Sequence, residues 1–166
     1  TREERLDGRY MDFSVLSETN GRYTGSQQGG GPSSMRAKVR VLIVDDFKEW
    51  RRFVASKLCQ ESHVELIGEA SDGLEALEKN KELNPELIFL DIGLPSLNGI
   101  EVARRILQAA PNTRIVFLSE NRSYDIAEEA LRTGAAAYVV KSEAATALLP
   151  AMEAALQGKQ VRQPLV

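Results

Sequence analysis

Hydrophobic residues follow two rhythms that take turns along the chain. Val39-Arg40-Val41-Leu42-Ile43-Val44, Leu87-Ile88-Phe89-Leu90, Thr113-Arg114-Ile115-Val116-Phe117-Leu118 and Ala136-Ala137-Tyr138-Val139-Val140 are nearly unbroken apolar runs, the pattern of strands buried on both faces. His63-Val64-Glu65-Leu66-Ile67-Gly68-Glu69-Ala70 alternates instead and predicts a half-exposed edge strand. Between these runs apolar positions recur at three and four residues, the helical period. The first such set is Phe47, Trp50, Phe53, Val54 and Leu58, with Lys57 in the same pattern. The second, Leu74, Leu77 and Leu83, follows a capping Asp72 and is expected to face inward. The third, Ile100, Val102, Ala103, Ile106 and Leu107, lies between Asn98-Gly99 and Pro111-Asn112. A fourth helix is expected from about Ser123, as its cap, to Arg132, with Gly134 ending it. The last runs from Glu143 or Ala144 to Gln157 and closes at Gly158. Pro150 interrupts it, so this helix is expected to start late, near Thr146, or to kink.

Strand and helix thus alternate five times, with spacers long enough for crossover connections. Right-handed crossovers place helices on both faces of one parallel sheet. The expected fold is α/β, a flavodoxin-like (βα)5 three-layer sandwich with strand order 2-1-3-4-5. This domain spans 36–158, preceded by a tail over 1–35 and followed by a short tail over 159–166. Before Met35, hydrophobics such as Leu6, Tyr10 and Phe13 keep no period, and the Gly/Ser/Gln-rich stretch from Thr24 to Ser34 has linker composition. Disorder is expected there, with at most a weak helical turn around Met11 to Leu16.

Composition narrows the function. The apolar fraction of 43% fills a core, and a net charge of −3 argues against general nucleic-acid binding. The single cysteine, Cys59, rules out an internal disulfide and is expected to be a small core residue. With no signal peptide and no long apolar run, a cytoplasmic protein that does not engage a membrane is expected.

The strands end in chemistry. The first ends in Asp45 and Asp46, the third in Asp91, the fourth in Ser119 and the fifth in Lys141. In a parallel sheet all five fall on one rim, where open α/β sheets bind ligands. Asp45 and Asp46 alone could be an acidic pair at a helix N-terminus. Three carboxylates together need a cation, and oxygen ligands select a hard one such as Mg²⁺. The ammonium of Lys141 and the hydroxyl of Ser119 match the oxygens of a phosphoryl group carried on Asp91.

This ordered set, Val41-Leu42-Ile43-Val44-Asp45-Asp46, then Asp91 with Leu94-Pro95 and Asn98-Gly99, then Ser119, then Tyr138-Val139-Val140-Lys141, resembles the receiver domain of two-component response regulators. The likeness is strongest to receivers joined to helix-turn-helix output domains. It implies a phosphoryl-accepting signalling switch rather than an enzyme. Asp91 would take a phosphoryl group from a phosphohistidine of a sensor histidine kinase or phosphotransfer protein. Asp46, Asp91 and the Gly93 carbonyl would hold Mg²⁺, with Asp45 acting mainly through water. Lys141 would pair with Asp91 and then with the phosphoryl oxygens. Ser119 would hydrogen-bond the phosphoryl group, and Tyr138 would turn inward behind it. The result would be a changed surface on the fourth helix, fifth strand and fifth helix, through which homodimers could form.

The chain departs from the family pattern at several positions. Ser142 stands where many receivers have proline, Gly93 offers no side chain two residues after Asp91, and Glu120, expected to point outward, replaces a small residue after Ser119. An aspartyl-phosphate phosphatase would need a second acid at Gly93. Phosphate-loop and dinucleotide-binding glycine motifs are missing. A degenerate docking module would have lost one of Asp91, Lys141 or the acidic pair. His63, the only histidine, is expected to be an exposed strand residue without an acidic partner.

Overall fold

Each buried strand sends alternate side chains to opposite faces, and the two cores follow from that period of two. The computed structural model describes residues 37–162, so the expected N-terminal tail and its helical turn lie outside the described residues. The elements are β1 (Val39–Val44), α1 (Lys48–Leu58), β2 (Val64–Ala70), α2 (Gly73–Leu83), β3 (Leu87–Asp91), α3 (Gly99–Ala109), β4 (Arg114–Ser119), α4 (Tyr124–Arg132), β5 (Ala137–Val140), α5 (Ala144–Leu156) and β6 (Val161–Arg162). On one face Leu42, Val44, Ile88, Leu90, Ile115, Phe117 and Tyr138 meet α2, α3 and α4. On the other, Val41, Ile43, Leu87, Phe89, Val116, Leu118 and Val139 meet α1 and α5. This is the expected three-layer arrangement.

The five expected strands are parallel and lie in the order β2-β1-β3-β4-β5. A sixth strand, β6, extends the sheet beyond β5. It comes from residues expected to form a tail. The Val161 N–H donates to the Ala136 carbonyl at 2.7 Å, and Gln160 Nε2 donates to the carbonyls of Leu131 and Ala135. A two-residue pairing of this kind has no sequence period to betray it. At the other edge, β2 does not alternate cleanly, because its register against β1 slips between Val41 and Leu42.

Three side chains expected in the core are outside it. Phe47 precedes α1 at the N-cap position and is exposed. Cys59 sits at the C-cap of α1, one residue past the last buried position, Leu58, and is also exposed. Leu74 is exposed because α2 buries the small face Gly73, Ala76 and Asn80, with Leu77 and Leu83 at its margin. Asp72 caps α2 as expected, accepting from the N–H groups of Leu74 and Glu75. Ser123 occupies the N-cap position of α4 without a side-chain bond; Asn121 Oδ1 accepts from its N–H instead.

The last helix does not start late. α5 begins at Ala144 after a 3-10 turn over Lys141–Glu143 and carries the exposed Pro150 in its interior. No cis peptide occurs among the described residues, consistent with serine at position 142. Pro150→Ala would restore a backbone donor without losing buried contact. It is expected to stabilise the protein by roughly 1–3 kcal/mol, read as a higher midpoint in thermal unfolding. Gly99 is constrained in the opposite sense: a Cβ there would lie 2.1 Å from the Asp91 carbonyl oxygen. Gly99→Ala is therefore expected to destabilise by about 2 kcal/mol or more in the same measurement.

Candidate functional site

The parallel topology delivers the strand-end residues to one rim. β1 leads into Asp45 and Asp46, β3 ends at Asp91, β4 ends at Ser119, and Lys141 follows β5. Asp45, Asp91, Ser119 and Lys141 are all buried, whereas Asp46 is exposed. One carboxylate oxygen from each of Asp45, Asp46 and Asp91 falls within 4.8 Å of the other two.

Lys141 is the counter-charge. Its Nζ lies 2.7 Å from Asp45 Oδ2 and 3.4 Å from Asp91 Oδ1. The buried Asp45 Oδ2 has the Lys141 ammonium as its ionic partner and no other polar partner among the described residues. Asp45 Oδ1 accepts from the Phe47 N–H at 2.9 Å, and the Asp45 carbonyl accepts from Arg51, which also pairs with Glu69. These bonds orient Asp45 toward the site. Burial pushes the Asp91 carboxyl above its ordinary range; the Lys141 ammonium pulls it back, Asp45 opposes that, and the Gly93 N–H stabilises the anion. Two buried carboxylates, one exposed carboxylate and one ammonium leave excess negative charge. With one oxygen from each aspartate within 4.8 Å of the others, that suits a hard divalent cation.

Ser119 and Tyr138 sit beside this cluster. Ser119 Oγ accepts from the Asn121 N–H at 3.1 Å. Tyr138 is already inward and almost fully buried, with its hydroxyl donating to the Asn121 carbonyl at 2.7 Å. Burial raises its phenol, a hydrogen bond with Ser119 lowers it, and the Asp91 charge raises it. Arg122 then ties the loop after β4 to the loop after β5, through Ser142 Oγ at 2.8 Å and Glu143 Oε1 at 2.9 Å.

Asp91 opens onto a cleft lined by Asp46, Phe47, Trp50, Gly93, Glu120 and Lys141. Glu120 is exposed, as expected of an outward residue, yet it stands at the mouth of this cleft. A Cβ at Gly93 would meet nothing closer than Asp91 Oδ2 at 3.6 Å, so glycine there keeps the approach open rather than avoiding a clash. Trp50 had been expected only as a core residue of its helix. Its ring centre lies 5.2 Å from Lys141 Nζ. The signal that could have found it is its spacing, one helical turn after Asp46.

His63 does not join the rim. It also departs from expectation in having acidic partners: Nε2 lies 2.8 Å from Glu153 and Nδ1 3.8 Å from Glu61. The chain brings Glu153 in from α5, ninety residues away, which no local pattern reveals.

The raised Asp91 sets a pH signature for the metal-free protein. Below the ordinary carboxylate range Asp91 is neutral in both folded and unfolded chains. As pH rises, the unfolded chain ionises freely while the folded one ionises against burial, so stability is lost through the raised value. Asp91→Asn keeps the neutral shape, and Lys141 retains its nearer partner Asp45. At pH 7.5 without divalent cations the variant is expected to melt higher than the wild type. The gain should shrink toward zero near pH 4, as followed by thermal unfolding across pH.

Comparison with known proteins agrees with this geometry. The profile of the response regulator receiver domain matches residues 41–153. The chain is 32% identical over 129 residues to the transcriptional regulatory protein DegU of Brevibacillus brevis, covering 78% of this chain and 55% of that protein. It is 37% identical over 102 residues to the chemotaxis protein CheY of Thermotoga maritima, covering 61% and 84%. The chain thus spans little more than half the length of DegU and most of CheY. Among solved structures, the response regulator domain of Thermotoga maritima CheB aligns with a TM-score of 0.64 at 34% identity, over 72% of this chain and 97% of that one. The receiver domain of a NarL-type regulator from Mycobacterium tuberculosis aligns with a TM-score of 0.69 at 31% identity, over 74% and 99%. With its parallel sheet and the acidic rim closed by Lys141, the chain belongs to the family of response regulator receiver domains, the phosphorylatable switches of two-component systems.

Proposed function

We propose that Asp91 is the phosphoacceptor, and that the donor is a phosphohistidine on a sensor histidine kinase or phosphotransfer protein. The observation that carries this reading is the position of Asp91. It is a buried carboxylate at the mouth of an open cleft, 3.4 Å from an ammonium and within reach of two further aspartates. An Asp91 oxygen attacks phosphorus in line, the phosphorus–nitrogen bond breaks with its electrons going to the imidazole, and an aspartyl acyl phosphate forms. Lys141 swings from Asp45 and Asp91 onto a phosphoryl oxygen. Ser119 turns its hydroxyl to a second oxygen. Asp45, Asp46, Asp91 and the Gly93 carbonyl would hold Mg²⁺, which supplies charge neutralisation on the phosphoryl oxygens. The group is taken up once per cycle, so the chain acts as a switch and not as an enzyme.

Tyr138 carries the signal outward. Its hydroxyl already sits on the Asn121 carbonyl, next to Ser119. A Ser119 hydroxyl drawn to the phosphoryl group makes this inward arrangement more favourable and shifts the population toward it. The surface that changes is formed by α4, β5 and α5, the face proposed to support a homodimer. No described helix is long and apolar enough to cross a membrane. The proposed setting is the cytoplasm, as a switch acting alone or as the receiver of a transcriptional regulator, without direct nucleic-acid binding by this chain.

Incubation with Mg²⁺ and acetyl phosphate, followed by intact mass, tests the assignment. A gain of one phosphoryl group is expected, and it should vanish with Asp91→Asn or on chelating the metal. No gain would leave a docking module, and continuous phosphate release from many substrates would mean a phosphatase. In Lys141→Ala the phosphoryl group should still be taken up, whereas the change in hydrogen exchange across α4, β5 and α5 should be lost. If both survive unchanged, Lys141 has been given the wrong role.

A further inference from the structure

Trp50 is the sole tryptophan in the chain, and it lies against the one lysine of the site. We infer that Trp50 is a positioning residue for phosphoryl transfer, its ring holding the Lys141 ammonium at Asp91. The inference rests on the reading of Asp91 as phosphoacceptor.

Lysine is a flexible stem with a compact charge at its tip, so its place depends on what surrounds the ammonium. Here the ammonium is nearer to Asp45, at 2.7 Å, than to Asp91, at 3.4 Å. A divalent cation held by the three aspartates would draw on the Asp45 charge and set a second positive centre beside Lys141. The ammonium then needs an anchor that the cation does not compete for. An aromatic face attracts a cation through its quadrupole, does not titrate, and repels an incoming phosphoryl anion far less than the full charge of a carboxylate. The 5.2 Å separation from Nζ to the ring centre is within range of that attraction.

The ring is itself held in place. It meets Phe53 edge to face, with centres 5.2 Å apart and planes at 84°. Both rings pack against the core formed with α5. Lys57 Nζ lies over Phe53 at 5.8 Å, on that ring rather than on Trp50. Trp50 is also only half-buried and lines the cleft containing Asp91 and Lys141. A residue serving only to fill the core has no need of that position.

The rate of phosphoryl uptake from acetyl phosphate with Mg²⁺ tests the role. It is measured by intact mass on the full chain for the wild type, Trp50→Phe and Trp50→Leu, each also combined with Lys141→Ala. Trp50→Leu is expected to slow uptake roughly tenfold, and Trp50→Phe, which keeps an aromatic face, to stay within about threefold of wild type. In the Lys141→Ala background the leucine substitution should change the rate by less than about twofold. Equal slowing in both backgrounds, or none in either, overturns the inference. A second measurement needs neither metal nor phosphodonor. Trp50 emission should change in Lys141→Ala and stay the same in Lys57→Ala; unchanged emission in Lys141→Ala overturns the contact itself. Should the wild type take up no phosphoryl group, the phosphoacceptor reading fails and the positioning role falls with it, while the emission result still decides the contact.

Discussion

Three aspartates share the space of one ion at the rim of the sheet, with a single buried ammonium among them. Like charges at such separations repel strongly once water is excluded. Lys141 offsets part of that repulsion, and burial still raises the Asp91 carboxyl. The folded chain therefore holds its site in tension. Whatever brings positive charge, or removes negative charge, relaxes it.

The fold exists to hold that tension at one place. Every strand is parallel, so every strand end faces the same way and the chemistry collects on one rim. Alternate residues of the same strands build two separate cores, one beneath α1 and α5 and one beneath α2, α3 and α4. The site thus rests on side chains that cannot shift without opening a core. Gly99 shows how closely it is supported: its backbone comes so near to Asp91 that no Cβ fits. Around the ends of β4 and β5, hydrogen bonds add to the packing: Ser119 to Asn121, Tyr138 to Asn121, and Arg122 to Ser142 and Glu143.

Much of this was legible in the sequence. Period-two and period-3.6 patterns are local, and each places a residue on a face without knowledge of the rest of the chain. The five strands, their helices and their order followed from them, as did the convergence of Asp45, Asp46, Asp91, Ser119 and Lys141. Two of the misreadings lie at the ends of α1. Phe47 and Cys59 keep the helical period of α1 but stand just outside the helix, where the period no longer orients them. Leu74 lost the buried face of α2 to Gly73, because close approach to the Leu97 backbone admits only glycine. Pro150 did not break α5, since its exposed side leaves water to satisfy the carbonyl it cannot serve.

The sequence by itself determined the class of fold and the set of reactive groups, because hydrophobic period and strand-end identity are properties of neighbouring residues. Only the tertiary structure decided which groups meet. It paired His63 with Glu153, folded β6 against β5, set the Tyr138 hydroxyl on the Asn121 carbonyl and laid the Trp50 ring beside the Lys141 ammonium. Those contacts join residues far apart in the chain, at angles set by sheet twist and helix packing, which no local pattern encodes.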